Sequence, residues 1–176
     1  MHDSLQSNVQ HKHQNQPETI EPCILVQEND FDIAHLYGSL AAASQSTGAI
    51  AIFTGLVRDL NLEKNVQDLY LEHYPGMTEN VLSVIAKDAI ARFELHAITV
   101  IHRVGHLKPG DNIVFVGCGT MHREDAFKAC QFVMDRLKTE APFWKKEGAQ
   151  NGSTWLSTQE KDLRLSQRWE TSNSSK

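Results

Sequence analysis

Apolar and polar positions alternate with two different periods along the chain, and each period predicts one kind of element. Apolar or β-branched runs predict strands at residues 23–26, 49–57, 66–74, 97–104 and 113–119, with a short strand-like piece around Trp155. Apolar residues spaced three and four apart predict helices from an Asp30 cap to about 43, from a Thr78 cap to about 93, from about 124 to 140 and from 159 to 169. Pro142 ends the third helix, because the residue before a proline avoids helical geometry.

The order of these elements predicts the fold class. A turn signal at 108–111 separates the strands at 97–104 and 113–119, which are therefore predicted to form a hairpin. The sequence thus predicts an α+β sandwich, in which helices pack on one face of a mixed, largely antiparallel sheet. The third helix is predicted to turn an apolar stripe toward this sheet, made of Ala126, Phe127, Cys130, Met134 and Leu137.

The length of the chain and its charge limit the number of domains and the classes of partner. With 176 residues, one domain is expected at 23–169, between a disordered polar tail at 1–22 and a flexible C-terminal tail at 170–176. The 17 basic and 22 acidic residues give a net charge of −5, which argues against a general nucleic-acid or anionic-membrane binder. No apolar run approaches the roughly 18 to 20 residues of a membrane span.

The cysteines and short motifs argue against the common metal and nucleotide sites. Cys23, Cys118 and Cys130 are far apart, and the sequence has no CxxC or HExxH spacing. No metal site is therefore predicted. The sequence also has no GxGxxG or Walker loop, so no nucleotide cofactor is predicted. The N-terminus lacks an apolar signal segment, which together with these cysteines predicts a location in the reducing cytoplasm.

A local excess of positive charge follows the third helix in this acidic chain. Residues 136–146 contain four basic residues and one acidic residue, a local charge of +3. Phe143 and Trp144 lie between Lys138 and Lys145 in this segment. An amine that loses hydration beside such rings becomes a usable nucleophile or acid–base group. The alternative is that these lysines only stabilise the C-terminal end of the helix dipole.

Two further basic sites lie at the ends of predicted elements. His122 and Arg123 open the third helix, where exposed backbone N–H groups favour an anion, and Arg58 follows the strand at 49–57. Together these residues predict a pocket for a phosphate or a carboxylate. A competing hypothesis is a cysteine-dependent acyl transferase that uses Cys118 with His122.

Six sequence words carry a resemblance to a known family. They are FTGLVRD at 53–59, LEHYPGMT at 71–78, VIHRVG at 100–105, PGD at 109–111, MHR at 121–123 and LKTEAPFWKKE at 137–147. With these words in order across roughly residues 23–169, the chain resembles the large, catalytic subunit of molybdopterin synthase. Met121 departs from the family pattern, which often has a small residue or serine there.

The resemblance implies a fold, a reaction and partners. The fold is a hammerhead-type α/β sandwich that forms a homodimer. Each subunit binds a small ubiquitin-like sulfur carrier, which threads its C-terminal Gly-Gly thiocarboxylate into the active site of the resulting heterotetramer. Two sulfurs pass in successive steps to cyclic pyranopterin monophosphate and form the dithiolene of molybdopterin. No metal, ATP or other cofactor is implied for this step.

The resemblance also implies roles for particular residues. Lys138 is the expected catalytic amine, as an acid–base group or as a transient partner of the carrier's acyl carbon, and Lys145 assists by charge or proton transfer. The implied substrate-binding residues are Leu56, Val57, Arg58, His122, Arg123, Lys138, Lys145, Lys146 and Glu147. Among them, Arg58, His122 and Arg123 are expected to hold the pterin phosphate. A remaining alternative is a non-catalytic member that only docks the carrier.

Overall fold

The computed structural model describes residues 20–58, 69–149, 152–156, 164–165 and 167–169. The strands among them are β1 (Cys23–Gln27), β2 (Ala49–Leu56), β3 (Leu69–His73), β4 (Ala97–Arg103), β5 (Gly105–Leu107), β6 (Asn112–Thr120), β7 (Phe143–Ala149) and β8 (Gly152–Leu156). The helices are α1 (Ile33–Ala42), α2 (Met77–Phe93) and α3 (Arg123–Glu140). The predicted tails at 1–22 and 170–176 lie outside the described residues, except for residues 20–22.

The strands form two four-stranded sheets, where the sequence predicted one. The first sheet has the order β1-β4-β6-β2, with β1 parallel to β4 and the other neighbours antiparallel. The second sheet has the order β5-β3-β7-β8 and is antiparallel throughout. The predicted hairpin is confirmed, because β4 pairs with β6. The short strand β5 lies between them in sequence and pairs instead with β3, so it connects the two sheets.

Helices cover both faces of the first sheet. Helices α2 and α3 pack on one face, around buried side chains that include Val116 and Phe132. Helix α1 packs on the opposite face, where Leu40 and Phe115 share a second cluster. The predicted α+β class is therefore confirmed, but the placement of all helices on one face is wrong. Strand β6 carries large apolar side chains at consecutive positions, so both faces of the sheet need cover.

Helix α1 begins two residues later than the sequence predicted. Asp32 is its N-cap, and the Asp32 carboxylate accepts from the backbone N–H groups of Ala34 (2.8 Å) and His35 (3.2 Å). Asp30 instead accepts a hydrogen bond from the side-chain amide of Asn112 (3.0 Å). Both aspartates suit a cap, and a contact 82 positions away in the chain decides between them.

Helix α2 begins one residue before the predicted Thr78 cap. Gly76 is the N-cap with a positive φ of 80°, and its N–H donates to the Glu79 carboxylate at 2.6 Å. Thr78 lies in the first turn, where its hydroxyl donates to the carbonyl of Pro142 at 3.4 Å. This bond joins the start of α2 to the segment that follows α3.

The C-terminal part of the chain bears on two predictions. Trp155 lies within β8, so the predicted strand-like piece is confirmed. Of the helix predicted at 159–169, positions 164, 165 and 167 are helical, and positions 159–163 and 166 lie outside the described residues. None of the helices described is long and apolar enough to cross a membrane.

Candidate active site

An open pocket of about 650 Å³ lies where α3 begins. Strand β6 ends at Thr120, whose hydroxyl donates to the carbonyl of His122 at 2.7 Å, and His122 is the extended N-cap residue of α3. The first N–H groups of a helix have no carbonyl partner within it, so this helix start favours an anion. The lining residues are Gly48, Ala49, Met121, His122, Arg123, Glu124 and Phe127.

The charged side chains of this pocket are exposed to solvent. Glu124 is one of them, but its carboxylate pairs with the ammonium of Lys128 at 2.6 Å. The hydrogen bond and the charge of Lys128 lower the pKa of Glu124, so this carboxylate is ionised and paired at neutral pH. An anionic ligand in this pocket can therefore bind the guanidinium of Arg123 and, when it is protonated, the imidazole of His122.

The apolar part of this lining was not predicted from the sequence. Met121 is 54% exposed and Phe127 is 68% exposed, although Phe127 was predicted to face the core. Ala126 takes the inward direction, and successive helix positions differ by about 100°. Gly48 allows the start of β2 to approach closely, because a Cβ there would lie 2.5 Å from the carbonyl oxygen of Met121. Phe127 is only one position away from the inward-facing Ala126, so the apolar spacing of the sequence does not show which of the two faces the core.

A second group of predicted site residues lies at the other end of β2. Val57 is buried, its N–H donates to the carbonyl of Asp111 (2.9 Å), and its own carbonyl accepts from the N–H of Gly110 (2.8 Å). Leu56 is 55% exposed and Arg58 is exposed. The two bonds of Val57 thus fix the backbone beside Arg58 against the turn that precedes β6.

Lys138 lies in the last turn of α3 and is exposed. Arg136, which contributed to the local positive charge, bonds the Glu140 carboxylate through Nε (2.5 Å) and Nη2 (2.7 Å) and contacts Asp88 through Nη1. These partners, Glu140 first, raise the pKa of Arg136. Arg136 is therefore committed to two carboxylates, Glu140 and Asp88.

Phe143 does not serve only to desolvate an amine, as the sequence suggested. Its ring is half-buried and stacks on the ring of His102, with centroids 4.0 Å apart and an interplanar angle of 25°. Trp144, one position later, is 44% exposed. Phe143 therefore anchors the start of β7 to β4, a contact between residues 41 positions apart that no local sequence pattern indicates.

The register of β7 separates the two adjacent lysines. Lys145 lies opposite Leu71 of β3, Glu147 lies opposite Leu69, and Lys146 lies opposite Tyr70. Leu69 and Leu71 are buried, and successive strand positions belong to opposite faces of a sheet. Positions 145 and 147 therefore share the inner face of the second sheet, and position 146 belongs to the other face.

Within one chain, the predicted cationic residues form two groups rather than one. Lys138 follows Arg123 by fifteen residues along α3, which corresponds to roughly 22 Å. Arg58 lies nine residues beyond Ala49 of the pocket, which in extended chain is roughly 30 Å. His122 and Arg123 thus lie at one end of the first sheet, while Arg58 and Lys138 lie at the other.

The cysteine hypothesis is not supported by the structure. Cys118 lies beneath α3 with none of its surface exposed. A hydrogen bond with Cys130 and burial raise the pKa of the Cys118 thiol well above its usual value. A buried, protonated thiol is a poor nucleophile, which argues against a Cys118–His122 acyl transferase. In the described segments, no group of three or more His, Cys, Asp or Glu side chains is placed to hold a metal ion.

Comparison with known proteins identifies relatives of similar length. A family model described as MoaE protein matches residues 26–140. The molybdopterin synthase catalytic subunit of Vibrio cholerae serotype O1 is 50% identical over 147 residues, which cover 84% of this chain and 97% of that protein.

Solved structures show the same fold. The molybdopterin biosynthesis MoaE protein from Burkholderia ambifaria MC40-6 has a TM-score of 0.73 at 45% identity, covering 85% of this chain and 98% of that one. A chain from the protein–protein complex of subunits 1 and 2 of molybdopterin-converting factor from Helicobacter pylori 26695 has a TM-score of 0.64 at 19% identity, covering 76% and 90%.

These likenesses extend over the candidate site. The range matched by the family model contains Arg58, His122, Arg123 and Lys138. That range is more than half of the chain, and the Vibrio cholerae relative matches over nearly its whole length. The chain therefore belongs to the MoaE protein family.

Proposed function

We propose that this chain is the catalytic subunit of a molybdopterin synthase, a sulfurtransferase of molybdenum-cofactor biosynthesis. The observation that carries the proposal is its 50% identity with the Vibrio cholerae catalytic subunit over 97% of that protein. The open cationic pocket at the start of α3 supports it. Both cyclic pyranopterin monophosphate and the carrier's C-terminus are anions, and charge-assisted hydrogen bonds bind such groups strongly.

In the proposed reaction, two sulfurs pass in successive steps from carrier thiocarboxylates to cyclic pyranopterin monophosphate. Arg123 and His122 bind its phosphate, because the guanidinium and the backbone N–H groups of the helix start both donate to phosphate oxygens. Lys138 moves a proton at the reacting centre, or its amine takes the carrier's acyl group as the C–S bond to the transferred sulfur breaks, and water then releases the carrier as a carboxylate. Lys145 stabilises developing charge. The product is the dithiolene of molybdopterin.

The distance between Arg123 and Lys138 along α3 bears on how one active site can contain both residues. The backbone positions of Arg123 and Lys138 are roughly 22 Å apart along α3, so one chain can place both side chains on a single pterin monophosphate only if both extend toward each other. We infer that the active site combines the pocket at the start of α3 in one chain with the Arg58 and Lys138 end of a second copy. A twofold dimer has two such sites, and one carrier at each gives the heterotetramer.

Mixing two impaired variants tests this arrangement. In a mixed dimer of Lys138→Arg and Arg123→Ala chains, one site keeps both native residues and the other loses both. Random pairing makes half of the dimers mixed, so about a quarter of wild-type activity is expected to return at subsaturating pterin. The measurement is molybdopterin formation after co-refolding. Activity that stays at the level of the separate variants would show that both residues act within one chain.

Arg123→Ala is expected to weaken pterin binding about ten- to hundredfold, because a charge-assisted phosphate contact contributes roughly 1.5–3 kcal/mol. Carrier affinity is expected to change less than about twofold, because Arg123 is proposed to bind the pterin phosphate and not the carrier. Calorimetry with each ligand measures both constants. Lys87→Ala removes an exposed cation from α2 and serves as the control. Equal losses for both ligands would contradict the assignment of Arg123 to the phosphate.

Carrier docking is expected to depend strongly on salt. The Helicobacter pylori protein of this fold occurs in a complex with a second subunit, and a corresponding carrier is proposed here. The positive charges of Lys138, Lys145 and Lys146 would attract its anionic C-terminus, and attraction between charges in solvent is screened beyond about 8 Å at physiological salt. Titrations at increasing ionic strength measure the effect. An affinity that stays constant would indicate a mainly apolar interface.

The direct test of the proposed function is molybdopterin formation. The chain is incubated with thiocarboxylated carrier and cyclic pyranopterin monophosphate, and molybdopterin is assayed against a reaction without the chain. Carrier binding without product would favour the non-catalytic docking alternative.

A location in the reducing cytoplasm is also proposed, since Cys23, Cys118 and Cys130 are all free thiols.

A further inference from the structure

The C-terminal strap, which we define as residues 164, 165 and 167–169, is bonded to α3 across a long stretch of sequence. Arg168 donates to Asp135 Oδ2 through Nε (3.1 Å) and Nη2 (2.5 Å), and Trp169 Nε1 donates to the same oxygen at 2.9 Å. Arg92 of α2 donates to the backbone carbonyl of Trp169 at 3.2 Å. The strap is therefore held by α2 and α3, the two helices that cover one face of the first sheet.

Asp135 is placed to receive the strap. Its side chain is only 10% exposed, and a buried carboxylate without donors is destabilising. Gln131 lies one helical turn earlier. With its amide oxygen turned toward Arg168, that oxygen accepts from Arg168 Nη2 (3.1 Å) and Nη1 (3.2 Å). Removal of the strap would leave the Asp135 carboxylate without the charge-assisted bonds from Arg168 and Trp169.

The ring of Trp169 belongs to an aromatic cluster between α2 and α3. Its centroid lies 5.3 Å from that of Phe132 and 6.0 Å from that of Phe93, both edge-to-face. The guanidinium of Arg92 lies 5.0 Å above the Phe132 ring. Edge-to-face packing favours one ring orientation, so the strap is seated in a defined position.

The strap closes a loop of chain that contains both proposed catalytic lysines. From Asp135 the chain passes through Lys138, β7 and β8, and it returns to Asp135 at Trp169, 34 positions later. Lys138 follows Asp135 by three residues and is therefore its neighbour on the helix surface. The bond from Thr78 to the carbonyl of Pro142 and the stacked ring of Phe143 hold the same loop at the entry to β7.

We propose that the C-terminal strap positions the sulfur-transfer lysines. By binding Asp135 it holds the end of α3 and the β7–β8 hairpin in the arrangement in which Lys138 and Lys145 act together. Arg168, Trp169 and Asp135 are positioning residues in this reaction. A displacement of about 1 Å can lower a rate roughly a hundredfold, so two lysines on separate elements need such support. The catalytic part of this inference rests on the proposed function, whereas the coupling of the strap to β7 does not.

The test compares two truncated chains in complex with the carrier. A chain that ends at residue 163 lacks the strap, and a chain that ends at Trp169 keeps it and is the control. Single-turnover molybdopterin formation at saturating pterin gives a rate constant and an amplitude. Loss of the strap is expected to lower the rate constant at least about tenfold, with pterin affinity within about twofold of wild type, because the strap bonds Asp135 and Arg92 and not the residues proposed to hold the phosphate.

Rescue separates positioning from stability. A synthetic peptide of residues 157–176, added to the chain that ends at 163, is expected to restore the rate constant. Trp169→Phe, which keeps a ring in the aromatic cluster, is expected to be milder than Trp169→Ala. A lower amplitude with an unchanged rate constant would overturn the proposal, because the strap would then only stabilise the fold. An equal loss of pterin affinity would overturn it as well.

A readout without catalysis keeps the two proposals distinguishable. Hydrogen exchange of the backbone amides of β7 is expected to accelerate in the chain that ends at 163 and in full-length Asp135→Asn, which serves if the truncated chain does not fold. Unchanged exchange in β7 would overturn the coupling even if activity fell. If the wild-type chain formed no molybdopterin while the chain that ends at 163 still showed the accelerated exchange, the proposed function would be contradicted and the coupling would be established.

Discussion

Replacement of Lys138 by arginine is expected to lower the single-turnover rate of molybdopterin formation at least about a hundredfold, with fold and carrier docking intact. Arginine keeps the positive charge, so a purely electrostatic role would survive in part. Its guanidinium does not release a proton at usable pH, and its planar fork differs in shape from an ammonium. General acid–base catalysis contributes typically a hundred- to ten-thousandfold, which sets the lower bound of the expected loss.

The measurement uses pre-thiocarboxylated carrier, beside a thermal melt of each variant. Lys128→Arg makes the same chemical change at another exposed position of α3 and is the matched control. Because Lys138 itself is exposed in the last turn of α3, the melting temperature is expected to change little. If Lys138→Arg kept more than about a tenth of the wild-type rate, Lys138 would be a residue that holds anions rather than one that transfers protons.

Lys145→Ala is expected to lower the same rate roughly ten- to a hundredfold, while Lys146→Ala is expected to stay within about threefold of wild type. The difference follows from strand geometry, since positions 145 and 147 share the face of the buried Leu71 and Leu69 and position 146 does not. Lys145 and Lys146 carry the same charge and are adjacent in sequence, but their positions belong to opposite faces of the sheet. Each substitution therefore serves as the control for the other.

Lys145→Arg refines this comparison. If Lys145 acts mainly by charge, arginine at 145 is expected to retain more activity than arginine at 138. Equal losses for Lys145→Ala and Lys146→Ala would show that the substrate responds to the total charge of the segment. A larger loss at 146 would contradict the proposed placement of the site on the inner face of the second sheet.

Local pattern predicted the helices and strands of this protein well. The runs that became β1, β2, β4 and β6 and the apolar spacing of α2 and α3 were all visible, because each element has its own period of side-chain burial. The sequence words around Arg58, His122 and Lys138 were sufficient to indicate the family, which the comparisons confirmed. Continuous stretches of sequence carry this kind of information.

Caps and helix faces were predicted less well, because neighbouring residues compete for the same role. Asp30 and Asp32 are equally good caps in sequence, and the contact of Asp30 with Asn112 selects Asp32. Phe127 differs by one position from the core stripe and is exposed in the pocket. A rotation of about 100° per residue makes a one-residue error the difference between core and surface.

The sequence by itself determined the elements, the family and the identity of the basic residues, since each depends on side chains close together in the chain. Only the tertiary structure decided that Arg58 lies at the opposite end of the first sheet from Arg123, and that Arg136 is neutralised by Asp88, 48 positions away. It also decided that the strap returns to Asp135. These features depend on which buried faces meet after the chain folds, and residue spacing along the sequence does not encode that choice.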